Sequence, residues 1–415
     1  MMITDDVADI KYASYTLDLS NINPSIVHQK IYEQCYAIYN YDSDFLCYDD
    51  TNHGQYRSVV LSYPDLGTVL AFSPPKSLPY AAFIEKYGDS DHPHVVCSDY
   101  VEGVMINLFY DVRTQGWEIA TKSGVGGYCN YYHNTQNHPS FIRKPVRKMM
   151  FREMFLEALG LLPPKGLSFA GMEWFANLDQ RYCYSFVLQH PENKITVAAE
   201  RAKLFLVAVY QKDGMRMIQI PPHVYESWSL FLNSASRVEF PQKHSGQHAD
   251  LKREFCSPHT KNRNRGLVFW NWSTGDRCMI ENPCYQELKK VGQMNPALHY
   301  QYLCVSRINK VSDFYRYFPL YKKQCSQMGD LESKFIDELH KTYLNVYVYK
   351  NIKLDDVSAK YRHHVAILHK IYYLPLLGGT GTKPKITKEV VKNYLHSLEP
   401  RELMYALYYE RRLLG

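Results

Sequence analysis

The chain has 415 residues, 46% of them apolar, which supports two or three domains with proper cores and excludes a disordered protein. Its 48 basic and 42 acidic residues leave a net charge of +6, a mild excess that permits polyanion binding without requiring it. The 10 cysteines contain no Cys-x-x-Cys pair, which argues for reduced thiols in a cytosol-like compartment and against a disulfide scaffold or structural zinc. The stretch MMITDDVADIKYA reads as neither a secretion signal nor an anchor, and no run of about 18 apolar residues offers a membrane span.

In chain order, Met1 to about Gln55 reads as an N-terminal extension containing YAIYNYDSDFLCYDD, part of an unusual total of 36 tyrosines. Such rings either stack nucleobases or, as we favour, serve as core edges whose hydroxyls need partners. From Tyr56, YRSVVLSYPDLGTVLAFSPPKS is two apolar runs around a turn at Pro64 to Gly67, a hairpin stopped by a double proline. SDYVEGVMINLFYD (98–111) follows as a strand with an acidic residue and a glycine before its apolar half. GWEIATKSGVGG is its hairpin partner, with Trp117, Ile119 and Thr121 alternating.

MMFREMFLEALGLL (149–162) has helical spacing and is closed by Pro163 and Pro164. YCYSFVLQHPENKITV and AKLFLVAVYQ return to strand character. Residues 234–264 are polar and His-rich and read as a long loop, and GLVFWNWSTGDRCMI is a further hairpin. Beyond about Pro283, DLESKFIDELHKTY, YRHHVAILHKIYY and PRELMYALYYERR carry apolar residues at three-and-four spacing, so the C-terminal portion is helical.

Over roughly half the chain this order of strands resembles the nucleotidyltransferase domain of RNA ligases, in particular the phage tRNA-repair type and related proteins of large double-stranded DNA viruses. Arg57 and Lys76 stand where the family has its upstream basic residues, and Glu102-Gly103 before VMINLFYD matches its acidic-Gly strand. SFVLQHPENKI resembles its Phe-Val signature ending in Pro-x-Asn-basic-Ile, and GLVF its Glu-Gly-x-Val strand. The resemblance implies an α+β fold: a mostly antiparallel nucleotidyltransferase core over 56–285, after the 1–55 extension, and an α-helical domain over 286–415.

The family attacks the α-phosphorus of ATP with a lysine two residues before the acidic position, its amine activated by burial or positive neighbours. Tyr100 stands there, and a phenol is overwhelmingly protonated at neutral pH. Ser185 replaces a carboxylate that would touch magnesium or ribose, and Arg265 replaces the glutamate that opens the next strand. Met279 and Glu281 replace two phosphate-gripping lysines. Gly103, Phe186, Pro191, Asn193, Gly266 and Val268 nevertheless fit. Scaffold kept and chemistry lost together point to a catalytically silent relative, a virus-encoded cytoplasmic or virion-associated protein. It is expected to need no cofactor and no metal, and to bind RNA at the pocket or a protein partner through its helices.

Two alternatives stand beside that reading. An active ligase using ATP and magnesium needs a relocated nucleophile, Lys122 at the end of the neighbouring strand or Tyr100 itself. A virion structural or assembly protein needs only the fold. The pocket or nucleic-acid residues expected are Arg57, Lys76, Glu102, Gly103, Lys122, Arg263 and Arg265. Basic runs at 143–148, 243–253 and 261–265, with Trp270, Trp272 and Tyr131 or Tyr132, suit a groove for single strands if they converge. HHVAILH (363–369) lacks the spacing of a metal protease, and GGTGTK (378–383) lacks the context of a phosphate-binding loop.

Overall fold

The computed structural model describes residues 12–89, 92–129, 149–161, 169–193, 196, 199–232, 237–257, 265–291, 298–308, 310–317, 321–374 and 385–410. The chain divides into two compact units, Met1–Gln136 with Val146–Glu287, and Asn137–Pro145 with Leu288–Gly415. The architecture is α+β: antiparallel sheets in the first unit and helices in the second.

The strands of the first unit begin with β1 (Ser14–Thr16), β2 (Val27–Tyr32), β3 (Tyr36–Tyr41), β4 (Val59–Ser62) and β5 (Val69–Phe72). They continue as β6 (Val95–Asp99), β7 (Val104–Asp111), β8 (Gly116–Thr121), β9 (Gly124–Val125), β10 (Tyr182–Gln189) and β11 (Lys203–Asp213). The last are β12 (Arg216–Ile220), β13 (Val238–Glu239), β14 (Lys243–His244), β15 (Gly266–Asn271) and β16 (Arg277–Glu281). One sheet has the order β1-β12-β11-β10-β7-β8-β9 with β13 on β11, a second β14-β6-β15-β16, and a third β2-β3-β4-β5. Of these pairs, only β11 with β13 is parallel.

The expected hairpins at β4–β5, β7–β8 and β15–β16 are present. Three expectations change. The stretch 98–111 is not one strand: β6 belongs to the second sheet and β7 to the first, and residues 100–103 carry the chain between them. The stretch read as an extension supplies β1 to β3, with β1 paired to β12 about two hundred positions away and β3 paired to β4. The segment read as a long loop contains β13, β14 and a helix over His248–Phe255, because Val238 and Leu251 are apolar anchors buried among otherwise polar residues.

Alternation along β7, β10 and β11 gives the large sheet two buried faces. Ile106, Leu108, Phe186, Leu188 and Leu206 pack under the helix Phe151–Ala158 and its Met154, Phe155 and Leu156. Phe109, Cys183, Ala208 and Tyr210 face Val60, Ala71 and Phe72 of the third sheet. The β6-β15-β16 sheet has its own core, in which Cys97, Leu267, Phe269 and Cys278 pack against Phe83 and Leu251 from helices Tyr80–Tyr87 and His248–Phe255.

The second unit is built from helices including Leu298–Arg307, Lys322–Tyr343, Ala359–Ile367, Lys388–Ser397 and Pro400–Leu407. Phe335, Leu339, Val365, Val391, Leu395 and Leu403 are among its buried apolar positions. Thr387 caps one helix by accepting from the Val390 N–H, a signal of the kind that marks a helix start in sequence. All 10 cysteines are free, and no helix among the described residues is long and apolar enough to cross a membrane.

Candidate functional site

A cleft of about 80 Å³ lies between the first and second sheets of the first unit. Met105, Val187 and Val207 form one wall, from β7, β10 and β11; Asp99, Val268 and Met279 form the other, from β6, β15 and β16. Val207 reaches the cleft at a β-bulge: Ser185 pairs with Ala208 but Phe186 pairs with Leu206, leaving Val207 unopposed. Bulges of this kind re-aim a side chain at a site.

The corner 100–103 closes one end. Tyr100 donates its N–H to the Gly266 carbonyl at 2.8 Å, which fixes the corner to β15. Glu102 faces away from the cleft lining: its Oε1 accepts from the Thr196 N–H and, at 2.8 Å, from the Tyr285 hydroxyl. Tyr285 is also 3.0 Å from Thr196 Oγ1, and its burial, then the Glu102 charge, push its phenol far above the ordinary range. Gly103 is required by close approach, since a Cβ there would lie 2.4 Å from Val187 Cγ1 and 2.5 Å from the Leu188 carbonyl oxygen. The acidic-Gly pair is therefore a joint between two sheets. Its glycine permits contact with β10, and its glutamate anchors the residues after that strand.

Four of the five degenerate positions meet near this corner. The Arg265 guanidinium lies 3.8 Å from the Tyr100 ring centroid and donates to Glu281 Oε1 from Nε at 3.1 Å and Nη2 at 3.0 Å. Arg265 and Glu281 thus neutralise each other over the Tyr100 phenol. Met279 lines the cleft as a plain thioether. Gly266, opposite Glu281 in the ladder, has φ +147°, and a Cβ there would lie 1.8 Å from the Ile280 carbonyl oxygen. Ser185 is outside the lining: it is fully buried further along the face of β10 that carries Val187, against β5, with its hydroxyl 2.9 Å from Asn107 Oδ1 and 3.1 Å from the Phe72 carbonyl oxygen.

Of the expected basic residues that are described, only Arg57 lines the cleft. Lys76 points to the backbone carbonyls of Leu46 and Cys47. Lys122 is exposed in the β8–β9 turn and is not among the lining residues. Arg263, Tyr131, Tyr132 and the runs 143–148 and 378–383 lie outside the described residues. Lys243 is paired with Glu226, and Arg253 with Asp250. Trp270 and Trp272 are both buried, with Trp272 packed edge-on against His94 and His223, so neither ring is a free stacking platform.

The residue that the sequence reading missed is Arg277. It begins β16 two and four positions before Met279 and Glu281, so strand alternation sets it on the same face, and it lines the cleft. Its exposure is 6%, and among the described residues its Nε has no partner and its guanidinium's one hydrogen-bond contact is to Met279 Sδ at 3.8 Å. Burial, and then the positive charge of Arg57, pull it down from the usual guanidinium range to about 10. The Trp270 indole N–H, in a residue 8% exposed, is likewise without a partner. Asp99, also in the lining, lies with its Oδ1 2.8 Å from His244 Nε2.

Among the described residues no cluster of His, Cys, Asp or Glu is arranged to hold a metal ion. In the helical unit, His364 lies 2.7 Å from the Tyr394 hydroxyl, and burial pulls it down to about 4. Its ring is a neutral part of the packing.

No protein-family model and no curated protein sequence matches the chain. Solved structures to which it is similar include RNA and DNA ligases. An archaeal ATP-dependent RNA ligase is 9% identical, with 89% of this chain and 92% of that chain covered at a TM-score of 0.40. A putative ATP-dependent DNA ligase from Aquifex aeolicus is 11% identical, with 76% and 78% covered at a TM-score of 0.37. An apo mutant of the Naegleria gruberi RNA ligase is 11% identical at a TM-score of 0.33, and the match spans 53% of this chain and 60% of that one. Likeness of this degree carries no inference about activity.

Proposed function

We propose that the protein is an RNA-ligase-like pseudoenzyme, akin to the phage tRNA-repair type and encoded by a large DNA virus, that binds RNA without nucleotidyl transfer. One observation carries this reading: the position of the family's lysine is Tyr100, capped by an Arg265 guanidinium that Glu281 already neutralises. A nucleophile needs a lone pair free to reach the α-phosphorus and an electrophile held in line. A phenol under a guanidinium offers neither an amine nor an approach. Phosphoryl transfer also depends on cationic stabilisation of the equatorial oxygens, usually with magnesium held by carboxylates. Here Ser185 is buried away from the cleft lining, and the one lining carboxylate, Asp99, is engaged by His244.

The test is incubation of the purified chain with α-labelled ATP and magnesium or manganese, followed by denaturing electrophoresis. The expected result is no labelled band, in wild type and in Lys122→Ala alike. A covalent nucleotide on any side chain would overturn the proposal and restore the active-ligase reading. The helical unit serves, in this proposal, as the surface for a protein partner.

A further inference from the structure

The cleft that holds no lysine is still positively charged. Arg57 and Arg277 both line it, and among the described residues neither guanidinium is paired with a carboxylate. A buried cation without a counter-charge is costly, and proteins keep such groups where a ligand completes them. Two guanidinium groups without a carboxylate, beside a largely apolar lining, describe an acceptor-only ligand with several oxygens.

Size narrows the class. The cavity of about 80 Å³ falls well short of the roughly 300 Å³ at which small-molecule pockets begin, so base and sugar are not enclosed. It compares better with the roughly 150 Å³ void that takes a benzene ring, and a tetrahedral oxyanion is more compact than benzene. The remaining lining, including Met105, Val187 and Val268, offers no cation-binding groups. Asp99 is the one like charge facing the ligand, and His244 engages it.

We propose that this cleft is a binding site for a single phosphate group, clamped between the guanidinium groups of Arg57 and Arg277. It deepens the pseudoenzyme reading by naming what the silent cleft holds: orthophosphate, or the terminal phosphate of an RNA end. Arginine suits this because its planar fork gives two parallel charge-assisted hydrogen bonds to one phosphate.

The test is titration calorimetry on the full chain in chloride buffer, with inorganic phosphate, a 5′-phosphorylated RNA oligonucleotide and its 5′-hydroxyl twin. Phosphate is expected to bind with one-to-one stoichiometry, and Arg277→Met or Arg57→Gln to weaken it roughly tenfold or more. Arg277→Met, which removes an unpaired buried charge, is expected to leave the ligand-free melting temperature unchanged or raised. An RNA that binds through its 5′-phosphate and loses that preference in Arg277→Met assigns the natural source to RNA ends; equal binding of both RNAs beside tight phosphate assigns it to free phosphate. Absent phosphate binding, or binding indifferent to both substitutions, overturns the site. A nucleotide label from ATP with phosphate binding intact would overturn only the pseudoenzyme reading.

Discussion

Gly103→Ala tests directly why glycine stands at the joint between the two sheets. The new Cβ would sit 2.4 Å from Val187 Cγ1 and 2.5 Å from the Leu188 carbonyl oxygen. Carbon atoms come to rest at about 3.5–4.0 Å, so the strands must separate by about 1 Å at this point. Neither obstacle yields easily, because both residues belong to β10, hydrogen-bonded to β7 on one side and β11 on the other. Overpacking costs about 1–3 kcal/mol where side chains can adjust, and with a backbone obstacle the upper end, about 3 kcal/mol, applies. For a domain of this size about 2–4 °C accompany each kcal/mol, so the strand-rich unit should melt about 6–12 °C lower. Scanning calorimetry reads this, with Gly67→Ala as the control, since a Cβ there meets nothing nearer than 4.0 Å. Equal melting temperatures for the two variants would refute the close-approach argument.

A carboxylate at position 185, where the resemblance expects one, should break the fold. Ser185→Asp puts a charge among the Phe72 and Asn107 oxygens and should cost about 3–5 kcal/mol, seen as a collapse of the urea midpoint that Ser185→Ala does not share. A double-mutant cycle on Arg265 and Glu281, 21% and 25% exposed, should give a coupling of about 1 kcal/mol, at the upper end for a partly exposed pair; zero coupling would deny that they neutralise each other. The tyrosines set an alkaline limit. Burial raises the Tyr56 phenol to about 12 and Tyr15, Tyr184 and Tyr225 further. A raised folded-state value means that their contribution is complete below the unfolded phenol value of about 10 and is lost as pH climbs through 12. Phenolate absorbance should therefore rise together with the loss of circular dichroism, and phenolate appearing well before unfolding would contradict the burial.

Local signals were enough for the hairpins, where an apolar run, a turn and a second run sit next to each other, and for the heptad-like spacing of the C-terminal helices. They were not enough for sheet membership. Nothing in Ser98 to Asp111 distinguishes a single strand from two strands in different sheets, because the break depends on Gly103 meeting a strand some eighty residues later. The pairing of β1 with β12 is equally silent, since a three-residue edge strand has no pattern of its own. At the site, the residues aligned to a family pattern could be named but not placed. Ser185 turned out to be a tie between strands, and Lys76 and Lys122 lie off the cleft. Arg277 escaped notice because it matches no motif, although its two-residue spacing from Met279 was available as a signal.

That spacing bears on how the proposed phosphate cleft is basic without a lining lysine among the described residues. A strand presents alternate residues to one face, so Arg277, Met279 and Glu281 form a single row along β16. At one end of the row Glu281 is cancelled by Arg265; in the middle Met279 is neutral; at the other end Arg277 remains positive, reinforced by Arg57. The positive end of the row has therefore moved away from Tyr100 and towards Trp270. A phosphate held there sits beside an indole, not beside a nucleophile, and the cleft can grip an anion while offering nothing to attack it. If Met279→Lys and Tyr100→Lys together returned both charge and amine to the corner, Arg265 would still occupy the approach. Labelling by ATP is accordingly expected only when Arg265 is also replaced, and labelling of the double variant alone would show that the guanidinium cap does not close the site.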